Sequence, residues 1–268
     1  MDKAAPDPLK AIRDRIDMID AEMHRLLIER SGVIAELIEI KGTSKPGAAF
    51  RPDREADMMH RLVMRHEGRL PLLTAEHIWR EIITTFTAMQ APFGIAAGPS
   101  PDALAMRDLI RFYFGFSVPI AEISTNAAAI ARVAGSGKDI AVIAADSSER
   151  WWGALANARA PKIFARLPFI ELADRPAHVP AYVIGPPLKE QAEPDIRVLA
   201  VTDSPQLAAA VESFGGMVMQ RHEGEALVEL PVAATSEDLA DASGIAVRTI
   251  INLGGIAQPI RLLAERPK

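Results

Sequence analysis

A long amphipathic helix near the start of the chain constrains the fold more than any other sequence feature. Apolar residues recur every three or four positions from about Pro8 to Lys41. The spacing gives two interleaved series: Leu9, Ile16, Met23, Arg30, Leu37 and Ile12, Ile19, Leu26, Val33, Ile40. A sustained heptad of this kind predicts a helix that buries one seam against partner helices. At 1.5 Å per residue this helix is about 50 Å long.

Arg30 interrupts the apolar seam. A guanidinium cannot stay buried and unpaired, because that costs several kcal/mol, so the seam must provide an anion there or open to water. Lys41 follows eleven residues later, about 16 Å along the axis and within about 20° of the same direction. Together they predict a pocket for a small anion. The alternatives are an ion pair between Arg30 and an acid across a dimer, and a favourable interaction of Lys41 with the helix dipole.

Two shorter helices follow the long one. One begins at Pro52 and ends near Gly68, and another runs from about Thr74 until Pro92 stops it. Each has one apolar face, and together they cover only part of a seam about 50 Å long. We therefore expect a second copy of the chain to cover the rest, in an intertwined helical dimer. Arg13 is rotated about 100° from the two cations, so it does not readily reach such a pocket in its own chain. In an antiparallel dimer we expect it to reach the pocket of the neighbouring chain.

Three further polar residues lie near the helical seam. Arg54 and Glu55 come at the start of the second helix, and Gln90 lies seven residues after Ile83 on the apolar stripe of the third. A first-turn acid is also ordinary at a helix start, and Gln90 is close enough to Pro92 to lie in a frayed helix end. Their conjunction with the two cations of the first helix favours a binding site.

After Pro92 strands and helices alternate, which predicts a parallel or mixed α/β sheet. The predicted strands up to residue 184 are 118–123, 140–145, 163–167 and 181–184, and 186–194 reads as a proline-rich linker. The last part has strands at 197–202, 217–222, 226–230 and 246–253, with helices at 205–214 and 236–242. That order suits a ferredoxin-like βαββαβ module. We therefore expect three domains, at residues 1–92, 93–190 and 195–268.

The composition excludes several functional classes. The chain has 30 basic against 35 acidic residues, a formal charge of -5, so we expect neither nucleic acid nor an anionic membrane as a partner. It has no cysteine, which removes disulfides, thiolate chemistry and Cys-ligated metals. No stretch has the length of a membrane span or the apolar run of a signal peptide. We expect a cytoplasmic protein.

Three segments resemble the all-helical chorismate mutase family, over about the first ninety residues. They are LKAIRDRIDMIDAEMHRLLIERSGVIAELIEIK, FRPDREADMMHRL and IIxxFxxMQ. The resemblance implies a three-helix intertwined dimer with two active sites, each completed by the first helix of the partner. It implies that Arg30 and the partner's Arg13 bind the two carboxylates of chorismate. Lys41 and Gln90 would donate hydrogen bonds to the ether oxygen whose bond breaks.

The second helix supplies the rest of the implied site. Glu55 would hold the ring-hydroxyl region of chorismate, with Arg54 beside it. Arg51 stands where the family often has an acidic residue, after a loop that is one residue longer, and it joins the arginines expected to bind substrate. Phe86 stands where a small hydroxyl residue can occur.

The implied reaction is the rearrangement of chorismate to prephenate, which leads to phenylalanine and tyrosine. It requires no nucleophile, metal, cofactor or proton transfer. It requires a dianion held in a compact shape, and stabilisation of the negative charge that grows on the ether oxygen. Cations and an amide in an apolar pocket supply both.

The remainder of the chain resembles, more weakly, a shortened prephenate dehydratase followed by a ligand-sensing ACT domain. GIAAGPSPDALAMRDLIRFYFG stands where dehydratases open with a glycine-rich turn and helix, and DIAVIAADSSERWW stands where they usually read Val-Pro-Ile-Glu-Asn-Ser. The asparagine and glutamate of that motif are missing, and so is a Thr-Arg-Phe motif. We therefore expect no dehydratase activity, and an amino-acid effector at the C-terminal module. The alternatives are a bifunctional mutase and dehydratase, a relative acting on isochorismate, and a non-catalytic protein that dimerises and senses amino acids.

Overall fold

The first helix forms a compact unit of its own. A computed structural model of the chain describes residues 7–41, 50–173, 175–188 and 193–262. The chain divides into two compact units between Ser44 and Lys45. Helix α1 (Pro8–Lys41) makes up the described part of the first unit, so the predicted bounds of this helix are confirmed. The side chain of Asp7 accepts a hydrogen bond from the Leu9 amide at 3.0 Å, as expected of an N-cap residue before a proline.

The apolar seam of α1 is open to solvent in the single chain. Eight of its apolar members are each about half exposed or more: Leu9, Ile12, Ile16, Ile19, Met23, Leu26, Val33 and Ile40. Contiguous exposed apolar surface of this extent is unusual on a monomer and marks an interaction site. The seam therefore has the character that the heptad predicts for a partner-binding helix.

The second unit combines helices with a large mixed sheet. Its helices are α2 (Pro52–Arg65), α3 (Leu72–Gln90), α4 (Ala103–Phe114), α5 (Asn126–Ser136), α6 (Leu207–Ser213) and α7 (Ser236–Ser243), with 3₁₀ turns at Trp152–Leu155 and Val247–Thr249. Its strands are β1 (Ile95–Ala97), β2 (Ile120–Glu122), β3 (Ile140–Ala144), β4 (Lys162–Leu167), β5 (Ile170–Leu172), β6 (Ala181–Gly185), β7 (Ile196–Thr202), β8 (Met217–His222), β9 (Glu225–Pro231), β10 (Ile251–Ile256) and β11 (Ile260–Leu262).

Nine of these strands form one continuous sheet, in the order β2-β1-β3-β6-β4-β10-β7-β9-β8. β2, β1 and β3 are parallel, and β6 is antiparallel to β3 and β4. β10 pairs with β4 in parallel and with β7 antiparallel. The predicted mixed α/β sheet is confirmed. The predicted linker at 186–194, of which 189–192 lie outside the described residues, joins strands of the same sheet.

The C-terminal module has the predicted βαββαβ element order. Its four strands lie in the order β10-β7-β9-β8, and all neighbours are antiparallel. The prediction of the last strand at 246–253 is wrong at both ends, because Val247–Thr249 is a 3₁₀ turn and β10 continues to Ile256. The strand passes through Gly254, whose φ of +140° and close approach to the Ile163 backbone exclude a side chain.

Helices cover both faces of the sheet. α2, α3 and α4 pack on one face in a core with Phe93, Phe164 and Phe169. Trp151 and Trp152 are buried with α5 in a core on the other side of the strands. α2 and α3 thus belong to the same compact unit as the sheet, whereas the domain boundaries at 92 and 190 stay predictions.

Candidate active site

Glu55, one of the predicted site residues, forms a partly buried ion pair in the structure. Helix α2 begins after Arg51, with Pro52 in its first turn, a position where the missing amide hydrogen of proline costs nothing. This places Glu55 in the first turn, with its side chain 16% exposed. Its Oε2 accepts a hydrogen bond from Nη1 of Arg80 on α3, at 2.8 Å. The two helices are therefore joined by a partly buried ion pair.

Arg80 is held from several sides. Its side chain is 2% exposed, and its guanidinium lies over the rings of Tyr113, at 5.7 Å, and Phe169, at 5.1 Å. Its Nε donates to the Tyr113 carbonyl at 3.4 Å, and the Thr84 hydroxyl donates to the same oxygen at 3.0 Å. This carbonyl lies at the C-terminal end of α4, where the helix leaves carbonyls without intrahelical partners and carries partial negative charge.

A second buried ionic group lies beside Arg80. The Tyr113 hydroxyl donates to Glu76 Oε1 at 2.7 Å and accepts from the Phe169 amide at 3.1 Å. Glu76 also pairs with Arg175 at 3.2 Å, and both side chains are essentially buried. Burial raises the pKa of the Glu76 carboxyl, and the Arg175 charge opposes the rise. Burial and the neighbouring Glu76 hold the pKa of Tyr113 well above its usual range.

The Glu55–Arg80 pair borders a small cavity between α2, α3 and the sheet. The cavity is lined by Thr84, Thr87 and several phenylalanine rings, and its volume is about 20 Å³. That is room for about one water molecule, whereas small-molecule sites need about 300 Å³ or more. A ligand that reaches Glu55 must therefore approach from the exposed side of the carboxylate.

The other predicted residues of the second unit are less constrained. Gln90 is the last residue of α3, and its amide donates back to the Phe86 carbonyl at 3.1 Å. Arg54 is exposed, Arg51 is half-buried before α2, and Phe86 is buried. Arg80, which pairs with Glu55, precedes Gln90 by ten residues, about 15 Å along the helix axis.

The three predicted cations of the first unit share α1. Arg13 is exposed in the first half of the helix, and Arg30 lies in its second half. Lys41 ends the helix, and its side chain lies outside the described residues. The assembly of these cations with Glu55 and Gln90 into one pocket stays a prediction.

Arg80 and Glu76 are the residues that sequence reasoning missed. The predicted apolar stripe of α3 consists of isoleucines and a phenylalanine. A second face of the same helix is formed by Glu76, Arg80, Thr84 and Thr87. All four are buried. Their i, i+4 and i+3 spacing was the available signal, because a polar stripe on a helix with two covered faces must find partners in the core.

The segment that replaces the dehydratase motif is tied to the C-terminal module. After β3, the carbonyl of Ser147 accepts from Gln220 of β8 at 2.7 Å, and the Ser147 hydroxyl accepts from Asn126 at 2.7 Å. Arg150 binds Glu225 of β9 through two hydrogen bonds, at 2.7 and 2.8 Å. The carboxyl end of β3 is therefore held in place by the neighbouring module.

Neither a metal cluster nor a membrane-spanning helix is found in the described part of the chain. No group of three His, Asp or Glu side chains there is arranged to hold a metal ion. None of the helices described combines the length and apolar character that crossing a membrane requires.

Comparison with known proteins finds a similarity that is centred on the helical region. Residues 12–91 match the family model described as chorismate mutase type II. Proteins described as bifunctional chorismate mutase/prephenate dehydratase are similar to this chain. The one from Neisseria gonorrhoeae is 38% identical over 84 residues, which cover 31% of this chain and 22% of that protein. The one from Pseudomonas aeruginosa is 30% identical over 138 residues, which cover 48% and 35%.

A third such protein, from Stutzerimonas stutzeri, is 31% identical over 120 residues, which cover 42% of this chain and 32% of that protein. The chain thus spans between 22% and 35% of the length of these curated relatives. The two longer alignments cover more of the chain than the helical segment alone does.

Solved structures show weaker likenesses. A prephenate dehydratase from Arthrobacter aurescens in complex with L-Phe has 13% identity and a TM-score of 0.40, covering 62% of this chain and 90% of that one. A protein described as GqqA, a novel type of quorum quenching acylases, has 13% identity and a TM-score of 0.41, covering 61% and 94%. Both TM-scores are below 0.5.

Proposed function

Because residues 12–91 match the chorismate mutase type II family, we propose that this chain catalyses the rearrangement of chorismate to prephenate in aromatic amino-acid biosynthesis. The match carries the proposal, because it spans most of α1 and all of α2 and α3, the helices that contain every predicted site residue except Arg51, which directly precedes α2. Arg13, Arg30, Glu55 and Gln90 all lie inside the matched segment, and so does Lys41.

The proposed mechanism is electrostatic. Arg30 of one chain and the partner's Arg13 bind the two carboxylates and hold the substrate in its compact reactive shape, which removes an entropic cost from the reaction step. Lys41 and Gln90 donate hydrogen bonds to the ether oxygen as negative charge develops on it. Donors of this kind in a water-poor site are each worth about 3 to 4 kcal/mol. Glu55 holds the ring-hydroxyl region, and Arg51 and Arg54 contribute positive charge beside it.

The proposed active unit is a homodimer. The exposed apolar seam of α1 supports this proposal, since at least eight of its side chains lie about half exposed or more in the single chain and a second α1 provides matching apolar surface. The dimer also provides the partner's Arg13, whose own direction on α1 differs from that of Arg30 by about 100°.

The test is to incubate the purified full-length chain with chorismate and to follow both the loss of chorismate and the formation of prephenate. The proposal expects turnover that Arg30→Ala abolishes while the dimer persists. Arg15→Ala, which changes an exposed arginine of the same helix, is the matched control and keeps the wild-type rate. No loss of chorismate contradicts the proposal and favours a non-catalytic protein that dimerises and senses amino acids.

The same assay distinguishes a mutase without dehydratase activity from the bifunctional alternative, which the names of the relatives suggest. Formation of phenylpyruvate without added acid supports dehydratase activity. We propose that it does not form, because the asparagine and glutamate of the dehydratase motif are missing from the segment after β3, and because Ser147 in that segment is bonded to Gln220 and Asn126. We also propose that the C-terminal module binds an amino-acid effector, which phenylalanine or tyrosine added to the mutase assay reveals as a change in rate.

A further inference from the structure

We propose that Arg80 is a positioning residue for the mutase reaction, which holds the Glu55 carboxylate in the orientation needed at the substrate. This inference rests on the proposed function. It adds a residue from the face of α3 that packs on the sheet, outside every motif that identified the helical region.

The contact between the two residues is short and shielded from water. Arg80 Nη1 and Glu55 Oε2 are 2.8 Å apart, and the exposed fractions of the two side chains are 2% and 16%. Charge-assisted hydrogen bonds of this length are stronger and more directional than neutral ones. Glu55 is in the first turn of α2, where a glutamate without a partner turns freely into solvent. Arg80 therefore selects one rotamer of Glu55.

Arg80 can orient Glu55 because its own position is fixed. Its Nε is bonded to the Tyr113 carbonyl, and its guanidinium lies over the rings of Tyr113 and Phe169. These contacts come from α4 and from the segment after β4. Arg80 therefore fixes the Glu55 carboxylate of α2 relative to α4 and to the sheet. A lysine at this place keeps the charge but loses the planar stacking and the second donor direction.

The ion pair leaves Glu55 able to bind a substrate group. A carboxylate accepts hydrogen bonds at both oxygens, and Arg80 occupies Oε2. The cavity on the Arg80 side admits about one water molecule, so a substrate hydroxyl is bound from the opposite, partly exposed side. Arg80 thus acts through Glu55 and does not itself contact the substrate.

The test is a double-mutant cycle on chorismate turnover by the full-length chain. Arg80→Met removes the charge at similar volume, and we expect kcat/KM to fall about tenfold, as for directly interacting residues. In an E55Q background the same substitution changes kcat/KM by less than about twofold. Arg80→Lys recovers part of the loss in the chain that keeps Glu55 and none in E55Q.

Arg166→Met is the matched control. Arg166 is also a largely buried arginine, 10% exposed, in an ion pair with Glu229 at 2.9 Å. It lies in β4, and its ion-pair partners among the described residues, Glu229 and Glu171, are not predicted site residues. It keeps kcat/KM within about twofold of wild type below its melting temperature. A general effect of losing a buried arginine lowers kcat/KM equally in both variants and overturns the proposal.

The remaining outcomes are also decisive. Equal losses for Arg80→Met with and without Glu55 mean that Arg80 supports the fold alone, and they overturn the inference. If Arg80→Met does not fold, Arg80→Lys measured in both backgrounds gives the same cycle. If the wild-type chain is active and Arg80→Met has the same kcat/KM, this inference is refuted and the proposed function stands. An inactive wild-type chain refutes both.

Discussion

We expect Glu229 to be the carboxylate that contributes most to holding the C-terminal strands and the preceding strands together in one sheet. It lies on β9 in the C-terminal module, with its side chain 5% exposed. It accepts from the Tyr182 hydroxyl of β6 at 2.6 Å and from Arg166 of β4 at 2.9 Å. These partners belong to the preceding α/β region, so one buried carboxylate joins the two parts.

The perturbation is Glu229→Gln, which keeps the shape and removes the charge. Breaking a buried ion pair by neutralising one partner costs about 3 to 5 kcal/mol, because the other charge stays buried and uncompensated. Arg166 has a second carboxylate, Glu171, at 3.4 Å, so we expect a loss near the lower end. A loss of about 3 kcal/mol lowers the Tm of a unit of this size by roughly 6 to 12 °C.

Thermal unfolding of the two variants measures the effect. Glu225→Gln is the matched control, because the Arg150–Glu225 pair also links the preceding region to β9 at a similar distance, but both side chains are more than a third exposed. An exposed pair contributes at most about 1 kcal/mol, so its Tm falls by less than about 4 °C. If Glu229→Gln and Glu225→Gln have equal effects, burial does not set the strength of the Glu229 contacts and the reasoning is wrong.

Three further predictions follow from the described residues. Burial and neighbouring carboxylates raise the pKa of Tyr113 and Tyr182 well above the usual value. The unfolded chain loses these two protons near pH 10, while the native chain keeps them. The free energy of unfolding, measured in urea, therefore falls above about pH 10, by up to about 2.7 kcal/mol per pH unit. Phenolate absorbance that appears before unfolding contradicts this. Gly254→Ala forces a side chain against the Ile163 backbone at a φ of +140°, and the Tm in a thermal scan falls by roughly 6 °C or more; Gly215→Ala, at a φ of +75° with open space around it, has the smaller effect. Leu26→Glu in the α1 seam dissociates the proposed dimer in analytical ultracentrifugation, whereas Met18→Glu, which lies off the seam on the same helix, does not; equal dissociation by both contradicts the seam.

The elements that the sequence predicts best are those with a single strong periodicity. Helix α1 has the predicted bounds, Pro8 to Lys41. Its heptad is sustained over many turns, a proline marks its start, and a segment with glycines follows its end in the sequence. Strand β8 (Met217–His222) also has the predicted bounds. The short strands β5 and β11 were missed, because three residues are too few to show a period.

The errors arose where tertiary contacts override local patterns. The pair Gly254 and Gly255 marks the end of a strand by local rules, yet β10 continues because Gly254 lies against the backbone of β4. Glu55 was predicted as a substrate residue, and its partner Arg80 was not noticed, because the partner belongs to a face of α3 that only the sheet makes buried. Long-range pairing of this kind leaves little signal in one sequence.

The most direct test of the central claim, a chorismate mutase with shared sites, is complementation between two inactive variants. Arg13→Ala and Arg30→Ala proteins are mixed in equal amounts, subunit exchange is verified, and prephenate formation is measured. In a two-fold symmetric dimer each mixed pair has one intact site and one site without either arginine. Random exchange therefore restores about a quarter of the wild-type activity. Verified exchange with no recovery of activity contradicts the claim that the partner's Arg13 completes the site.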